Sequence, residues 1–230
     1  MKHKCVIFDL DGTLSDTVAE LTGAINRVLA ADFPSLPGTT VEEIRAMQGK
    51  SLNTMLLRLF TRGIEDGYVS KNDVNDDVND DFIEETVQKV TAAYDPRLYR
   101  AKPYRGTDAL LGSLKQKKMK IAVLSNKPHQ IARIEIRCLF PYFEFDEVRG
   151  VIPNEPYKPD PAAVLDMLAG LDAYPGNTMM VGDSVTDIKT ALASECLPVG
   201  VSWGYFPAPL LKEAGARVII NRPEELLDLL

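Results

Sequence analysis

From residue 107 to its end the chain alternates two kinds of stretch. Ile121-Ala122-Val123-Leu124, Thr178-Met179-Met180-Val181 and residues 197–201 are short apolar runs, and stretches of helical spacing separate them. Apolar runs of this length read as strands buried on both faces. Strands that alternate with helices make βαβ units and a parallel sheet. Further short strands are expected near 145–148 and 218–220. Helices are expected at about 107–117, after Lys127, at about 161–170 and from Ser184. Val6-Ile7-Phe8 has the same strand character but stands far from the others. Between it and the rest, residues from about 16 to 98 carry only helical periodicity. Val18, Leu21, Ile25 and Val28 form one stripe, with Ser15 or Asp16 as its cap. Leu52, Met55, Leu56, Leu59 and Phe60 form another, and Phe82, Ile83, Val87 and Val90 a third. A short helix from Thr40 to about Met47 lies between the first two. The expected architecture is a doubly wound α/β domain, residues 1–15 and 99–230, with an all-helical insert, residues 16–98.

The first strand runs into Asp9-Leu10-Asp11-Gly12-Thr13. Side chains alternate along a strand, so acids at i and i+2 point to one side. Gly12 permits the turn that must follow. Carboxylates at the carboxyl end of a buried strand stand in the crevice where open α/β sheets bind ligands. Two like charges this close repel, and a hard cation would relieve the repulsion. The bland reading is a turn capped by its own Asp residues.

Three later motifs change that balance. Ser125-Asn126 ends the strand Ile121–Leu124 just before a helix, where exposed N–H groups and the helix dipole favour an anion; the bland reading is a helix cap. Lys158 precedes Pro159-Asp160-Pro161, with Asp160 as N-cap and Pro161 as first helical residue, so the lysine sits in a stiff loop. Gly182-Asp183-Ser184 follows another buried strand, and Asp187 falls on the same helix face as Ser184 or Asp183. One carboxylate from each of two strand ends suits magnesium, which keeps several waters and binds substrate phosphate.

Charge and cysteine content narrow the function class. The net charge of −7 argues against a general nucleic-acid binder. Cys5, Cys138 and Cys196 lack metal-ligand spacing and read as thiols of a reducing compartment. Met1-Lys2-His3-Lys4 leads straight into the first strand without room for a signal peptide. No apolar run approaches a membrane span. A cytoplasmic enzyme working on small molecules, without nucleic-acid or membrane partners and as a monomer or weak dimer, is the expectation.

The ordered set Asp9, Asp11, Gly12, Thr13; Ser125, Asn126; Lys158; Gly182, Asp183, Ser184, Asp187 resembles the haloacid dehalogenase superfamily of phosphohydrolases. The resemblance covers essentially the whole chain and implies a Rossmann-like core with a helical cap. It implies that Asp9 attacks phosphorus and becomes an aspartyl phosphate, and that Asp11 donates a proton to the leaving oxygen and later activates water. Asp9 and Asp183 would hold Mg2+ by side chain, with Asp11 adding its main-chain carbonyl. Thr13, Ser125, Asn126 and Lys158 would hold the transferring phosphoryl group, and Ser184 and Asp187 would stand behind this first ring. Dehalogenase members lack an acid at the position of Asp11, so its presence argues for phosphoryl transfer. The tail Pro198-Val199-Gly200-Val201-Ser202-Trp203-Gly204-Tyr205 resembles phosphoglycolate phosphatases. Ser194-Glu195 departs from the Ala-Gly usual before this strand, which puts a turn in question.

Two segments lie outside this pattern. Asp73, Asn75, Asp77, Asn79 and Glu84 occupy positions 1, 3, 5, 7 and 12 of a calcium loop. Val78 stands where such loops have Gly, and solvated acidic loops are the commoner case. This segment supports the non-enzymatic alternative, an acidic calcium-binding or interaction protein; the enzymatic alternative is a sugar-phosphate phosphatase or β-phosphoglucomutase-like enzyme. Gly49-Lys50-Ser51 is a turn between two helices. In related caps such a loop faces the active site, so Lys50 is a candidate for reading the leaving group; the bland reading is a solvated lysine.

Overall fold

The computed structural model describes residues 3–69, 79–95, 98 and 100–230. The chain divides into two compact units, residues 1–16 with 101–230 and residues 17–100. Asp73, Asn75 and Asp77 of the acidic segment lie outside the described residues. Of the other two proposed ligands, Asn79 caps a helix by accepting the Phe82 N–H, and Glu84 accepts from Asn53 and Gln88.

The first unit is built on a six-stranded parallel sheet. Its strands are β1 (Cys5–Phe8), β2 (Lys120–Pro128), β3 (Glu147–Val151), β4 (Thr178–Gly182), β5 (Leu197–Val201) and β6 (Val218–Ile220), in the order β3-β2-β1-β4-β5-β6. Helices α5 (Thr107–Gln116), α6 (His129–Leu139), α7 (Ala162–Gly170), α8 (Val185–Ala193) and α9 (Ala208–Glu213) connect them. Every residue of β1 is buried, as a central strand requires. Cys5 and Ile7 of β1 pack with Ala122, Leu124 and Met180 beneath Val164, Met167 and Leu168 of α7. The chain leaves β1 toward β2 and β3, then returns on its other side through β4, β5 and β6. The carboxyl ends of β1 and β4 therefore flank a topological switch point, where sheets of this kind bind ligands.

The second unit is helical: α1 (Val18–Asp32), α2 (Val41–Arg45), α3 (Leu52–Glu65) and α4 (Asp80–Ala92). Phe33, Phe60 and Phe82 form an edge-to-face cluster, with ring centroids of 4.9 Å for Phe33–Phe60 and for Phe60–Phe82. Thr40 and Glu43 close a reciprocal capping box at α2, and Ser51 caps α3. Lys50, next to that cap, is exposed. No helix among the described residues is long and apolar enough to cross a membrane.

The local reading needs four corrections. Neither Ser15 nor Asp16 caps α1: Thr17 holds the N-cap position without a side-chain capping bond, Ser15 donates to the Lys102 carbonyl, and Asp16 accepts from Tyr205. Tertiary partners have claimed both side chains. The strand expected to end at Leu124 runs on to Pro128, with a register shift against β3 between Leu124 and Pro128. Ser125 and Asn126 are thus strand residues, and the bland reading of them as caps fails, because Pro128 holds the N-cap position of α6 without a side-chain bond. The short strand expected near Phe145 is Glu147–Val151. Pro161, not Asp160, takes the N-cap position of α7, yet Asp160 still satisfies the Ala162 N–H at 2.8 Å. At the questioned turn, Glu195 adopts φ +60°, so the turn persists in a conformation that costs a non-glycine residue roughly 1–2 kcal/mol.

Candidate active site

β1 and β4 deliver the acids. Asp9 directly follows β1, and its N–H donates to the Val181 carbonyl of β4 at 2.9 Å. Asp183 directly follows β4. Asp187 lies in the first turn of α8, where Ser184 and Asp187 form a capping box: the Ser184 hydroxyl accepts the Asp187 N–H, and Asp187 Oδ2 accepts the Ser184 N–H and hydroxyl at 3.0 and 2.6 Å. Carboxylate oxygens of Asp9, Asp183 and Asp187 lie within 4.8 Å of one another, and all three residues are buried. The capping role of Asp187 and its place in the acidic cluster are therefore one arrangement.

Glycines make room for this crowding. Gly12 turns the chain at φ +81°, and a Cβ there would run into the Asp183 carboxylate. A Cβ at Gly204 would strike the Asp183 side chain from the opposite loop and would also meet the Gly12 carbonyl. That loop is anchored at three points. Trp203 Nε1 donates to the Thr13 carbonyl at 3.1 Å, the Tyr205 N–H to Asp183 Oδ2 at 2.7 Å, and the Tyr205 hydroxyl to Asp16 at 2.8 Å.

Lys158 binds two of the acids at once. Its ammonium lies 2.7 Å from Asp9 Oδ1 and 2.7 Å from Asp187 Oδ1, and its side chain is 3% exposed. Its main-chain carbonyl accepts from Asn126 Nδ2 at 2.9 Å, so the amide of Asn126 holds the lysine's backbone. The Ser125 hydroxyl accepts the Lys127 N–H at 3.2 Å. The Thr13 hydroxyl is buried without a hydrogen-bond partner among the described residues.

A second lysine escapes the sequence reading. Lys127 Nζ lies 2.6 Å from Asp11 Oδ1 and 2.7 Å from Glu135 Oε2, and the Glu135 side chain is wholly buried. One signal could have exposed this pair. Glu135 falls on the inward stripe of α6 with Ile131, Ala132, Ile136 and Leu139; a lone carboxylate among core positions implies a buried cation nearby.

The electrostatics are unbalanced toward negative charge. Five carboxylates, Asp9, Asp11, Glu135, Asp183 and Asp187, gather around two ammonium groups, Lys127 and Lys158. Burial and then the Asp187 charge push the Asp9 carboxyl up to about 7, against the pull of Lys158. Burial, Asp9 and Asp187 likewise hold Asp183 well above the ordinary carboxylate range, against the Tyr205 N–H and Lys158. The Lys158 pKa is raised as well, which keeps it charged: burial disfavours its charge, but Asp187 and Asp9 outweigh burial. A divalent cation would remove the imbalance. The donor set fits a hard one, since it consists of oxygens and lacks sulfur and imidazole.

Comparison with known proteins agrees with this picture. The sequence pattern of the haloacid dehalogenase-like hydrolases matches residues 6–201. The phosphoglycolate phosphatase of Rhodospirillum rubrum is 33% identical over 208 residues, covering 90% of this chain and 83% of that protein. The phosphoglycolate phosphatase of Caulobacter vibrioides is 30% identical over 219 residues, covering 94% of this chain and 86% of that one. In fold, a haloacid dehalogenase-like hydrolase from Streptococcus pneumoniae superposes with a TM-score of 0.76 at 20% identity, covering 99% of this chain and 98% of that one. With its pattern matched from β1 through β5 and its acids gathered at the switch point of the sheet, the chain belongs to the haloacid dehalogenase-like hydrolases.

Proposed function

We propose that the protein is a magnesium-dependent phosphomonoesterase that works through a phosphoryl-aspartate at Asp9, with 2-phosphoglycolate as the first ester to test. The observation that carries this reading is the buried bridge of Lys158 between Asp9 and Asp187, set among more negative charge than the lysines neutralise. An oxyanion-handling site needs such fixed donors in a dry setting.

Lys158 fixes one oxygen of Asp9, so the other can attack phosphorus. In the first step an Asp9 oxygen forms the new P–O bond while the bond to the leaving oxygen breaks. Asp11 gives that oxygen its proton. In the second step water attacks phosphorus, Asp11 takes the water's proton, and Asp9 leaves as a carboxylate with inorganic phosphate released. The orphaned Thr13 hydroxyl, Ser125, Asn126 and the Lys158 ammonium are assigned to the phosphoryl oxygens. Asp9, Asp183 and the Asp11 main-chain carbonyl would hold Mg2+. Both oxygens of Asp187 are engaged by Lys158 and Ser184, which leaves Asp187 to orient the lysine. When bound, the cation neutralises charge on the transferring group and keeps the buried acids ionised at neutral pH. Ser184 acts through Asp187.

The test is a panel of alkyl, sugar and aryl phosphate monoesters, assayed with magnesium and again after chelation. Hydrolysis that stops on chelation and returns with magnesium is expected. Turnover that survives complete chelation would remove the metal from the mechanism, and no hydrolysis of any ester would remove the phosphatase reading.

A further inference from the structure

The mechanism above leaves two buried charges without a task, Lys127 and Glu135. Their energetics alone do not account for them. Charges withdrawn from water carry a desolvation penalty that their mutual attraction often fails to exceed, and well-packed apolar residues of similar volume usually serve stability as well or better. Their arrangement repeats that of the other lysine. Lys158 takes one oxygen of Asp9 and is held from behind by Asp187. Lys127 takes one oxygen of Asp11 and is held from behind by Glu135. Each of the two carboxylates assigned a chemical step thus has its own lysine, and each lysine its own second carboxylate.

That second carboxylate has a mechanical consequence. A lysine carries a compact ammonium on a flexible four-carbon stem, so one contact fixes its distance but not its direction. Glu135 projects from α6, an element anchored in the core by Ile131, Ala132 and Ile136. Lys127 lies in the extended end of β2, where Pro128 pairs with Val151 of β3. The ammonium is therefore fixed from two elements, and Asp11 Oδ1 is fixed by the ammonium.

We propose that Lys127, braced by Glu135, is a positioning residue that orients the Asp11 carboxylate so that Oδ2 exchanges the proton with the leaving oxygen. The inference rests on the phosphatase reading. It extends that reading from which acid moves the proton to what aims it. Proton transfer is steep in geometry, so a carboxylate free to rotate loses much of its advantage.

Leaving-group dependence isolates this role. An alkyl phosphate expels a poor leaving group and needs the proton; p-nitrophenyl phosphate expels a good one and scarcely needs it. Removing Lys127 alone would strand Glu135, so the main variant is the double substitution Lys127→Met/Glu135→Leu, with Glu135→Gln as a shape-preserving companion. For the double variant, kcat/KM on the best alkyl ester should fall by roughly tenfold to a hundredfold, a part of what general acid catalysis contributes. On p-nitrophenyl phosphate it should fall by less than about threefold, with KM for both esters nearly unchanged. Glu135→Gln should show the same asymmetry at a smaller scale, and it decides the matter if the double variant does not fold. Equal losses on both esters, or none on either, would overturn the inference while leaving the phosphatase reading intact. Wild-type protein that hydrolyses neither ester, or Asp9→Asn protein that works as well as wild type, would remove that reading and this inference with it.

Discussion

The two units of this protein handle charge in opposite ways. In the sheet unit the ion pairs at the site are buried: Lys158, Asp187, Lys127 and Glu135 have side chains no more than 3% exposed. In the helical unit the described pairs are solvated. Arg62 with Glu43, and Lys89 with Asp32 and Glu85, all have side chains at least 36% exposed. Its buried polar groups are mostly small hydroxyls, and three of these bond within their own helix: Thr22 to the Val18 carbonyl, Thr86 to the Phe82 carbonyl and Thr91 to the Val87 carbonyl. Apolar contact holds its interior, the Phe33–Phe60–Phe82 cluster above all. Burying charge is costly and is found where charge has a task. Exposed pairs contribute little to stability. On the function proposed above, the chemistry belongs to the unit that buries charge and apolar packing dominates the other.

The largest test of that division is Asp9→Asn. The amide keeps size and shape but is a far poorer nucleophile, and it removes a buried negative charge that burial and Asp187 disfavour, as the Asp9 pKa of about 7 reflects. Turnover should fall by at least about a thousandfold, while thermal unfolding should show a melting temperature equal to or above that of wild type. A protein that is less active because it is less stable would break the comparison. Phe60→Ala addresses the other unit. Phe60 is fully buried at the centre of the aromatic cluster, so the substitution should cost about 3–5 kcal/mol. Urea titration followed by far-ultraviolet circular dichroism measures it, and a loss below about 1 kcal/mol would show that the cluster does not organise the helices.

Lys50→Ala asks whether the helical unit takes part in selectivity. If Lys50 reads the leaving group, kcat/KM on the preferred ester should fall about tenfold, the scale of one charge-assisted contact. Hydrolysis of acetyl phosphate should change much less. Uniform losses, or none, would confine selectivity to other residues. The smallest effect belongs to Glu43. Its backbone bond at Thr40 and then its bond to Arg62 lower the carboxyl from 4.5 to about 2. A carboxyl that ionises more readily in the folded chain adds stability above pH 4.5, and that stability is lost as pH falls toward 2. Because the pair is solvated, Glu43→Gln should cost less than about 1 kcal/mol at pH 7, and the difference from wild type should shrink by pH 3. A difference that grows on acidification would contradict the assignment.

Much of the site was legible because its signals are local. Asp9 directly follows one buried strand and Asp183 another. The Ser184–Asp187 spacing announces the first turn of a helix. The order of these motifs along the chain was enough to mark the family. Other features were read by local rules and then claimed by distant partners. Ser15 and Asp16 have the chemistry of helix caps, yet Lys102 and Tyr205 engage them instead. Asn126 was assigned to a phosphoryl group, and its amide also ties down the backbone of Lys158.

What the sequence determined by itself was the period of each element, the residue types at the strand ends and the order in which they come. These depend on neighbours within a few positions, where spacing is geometry. Which lysine serves which acid was decided only by the tertiary structure. Lys127 and Asp11 are 116 positions apart, and Lys158 and Asp9 are 149. They meet because β1 inserts between β2 and β4, an order that no local pattern encodes. Once that order brings the acids together, Asp9, Asp11, Glu135 and Asp187 each take a lysine within hydrogen-bonding reach, from the strand or loop that ends beside them.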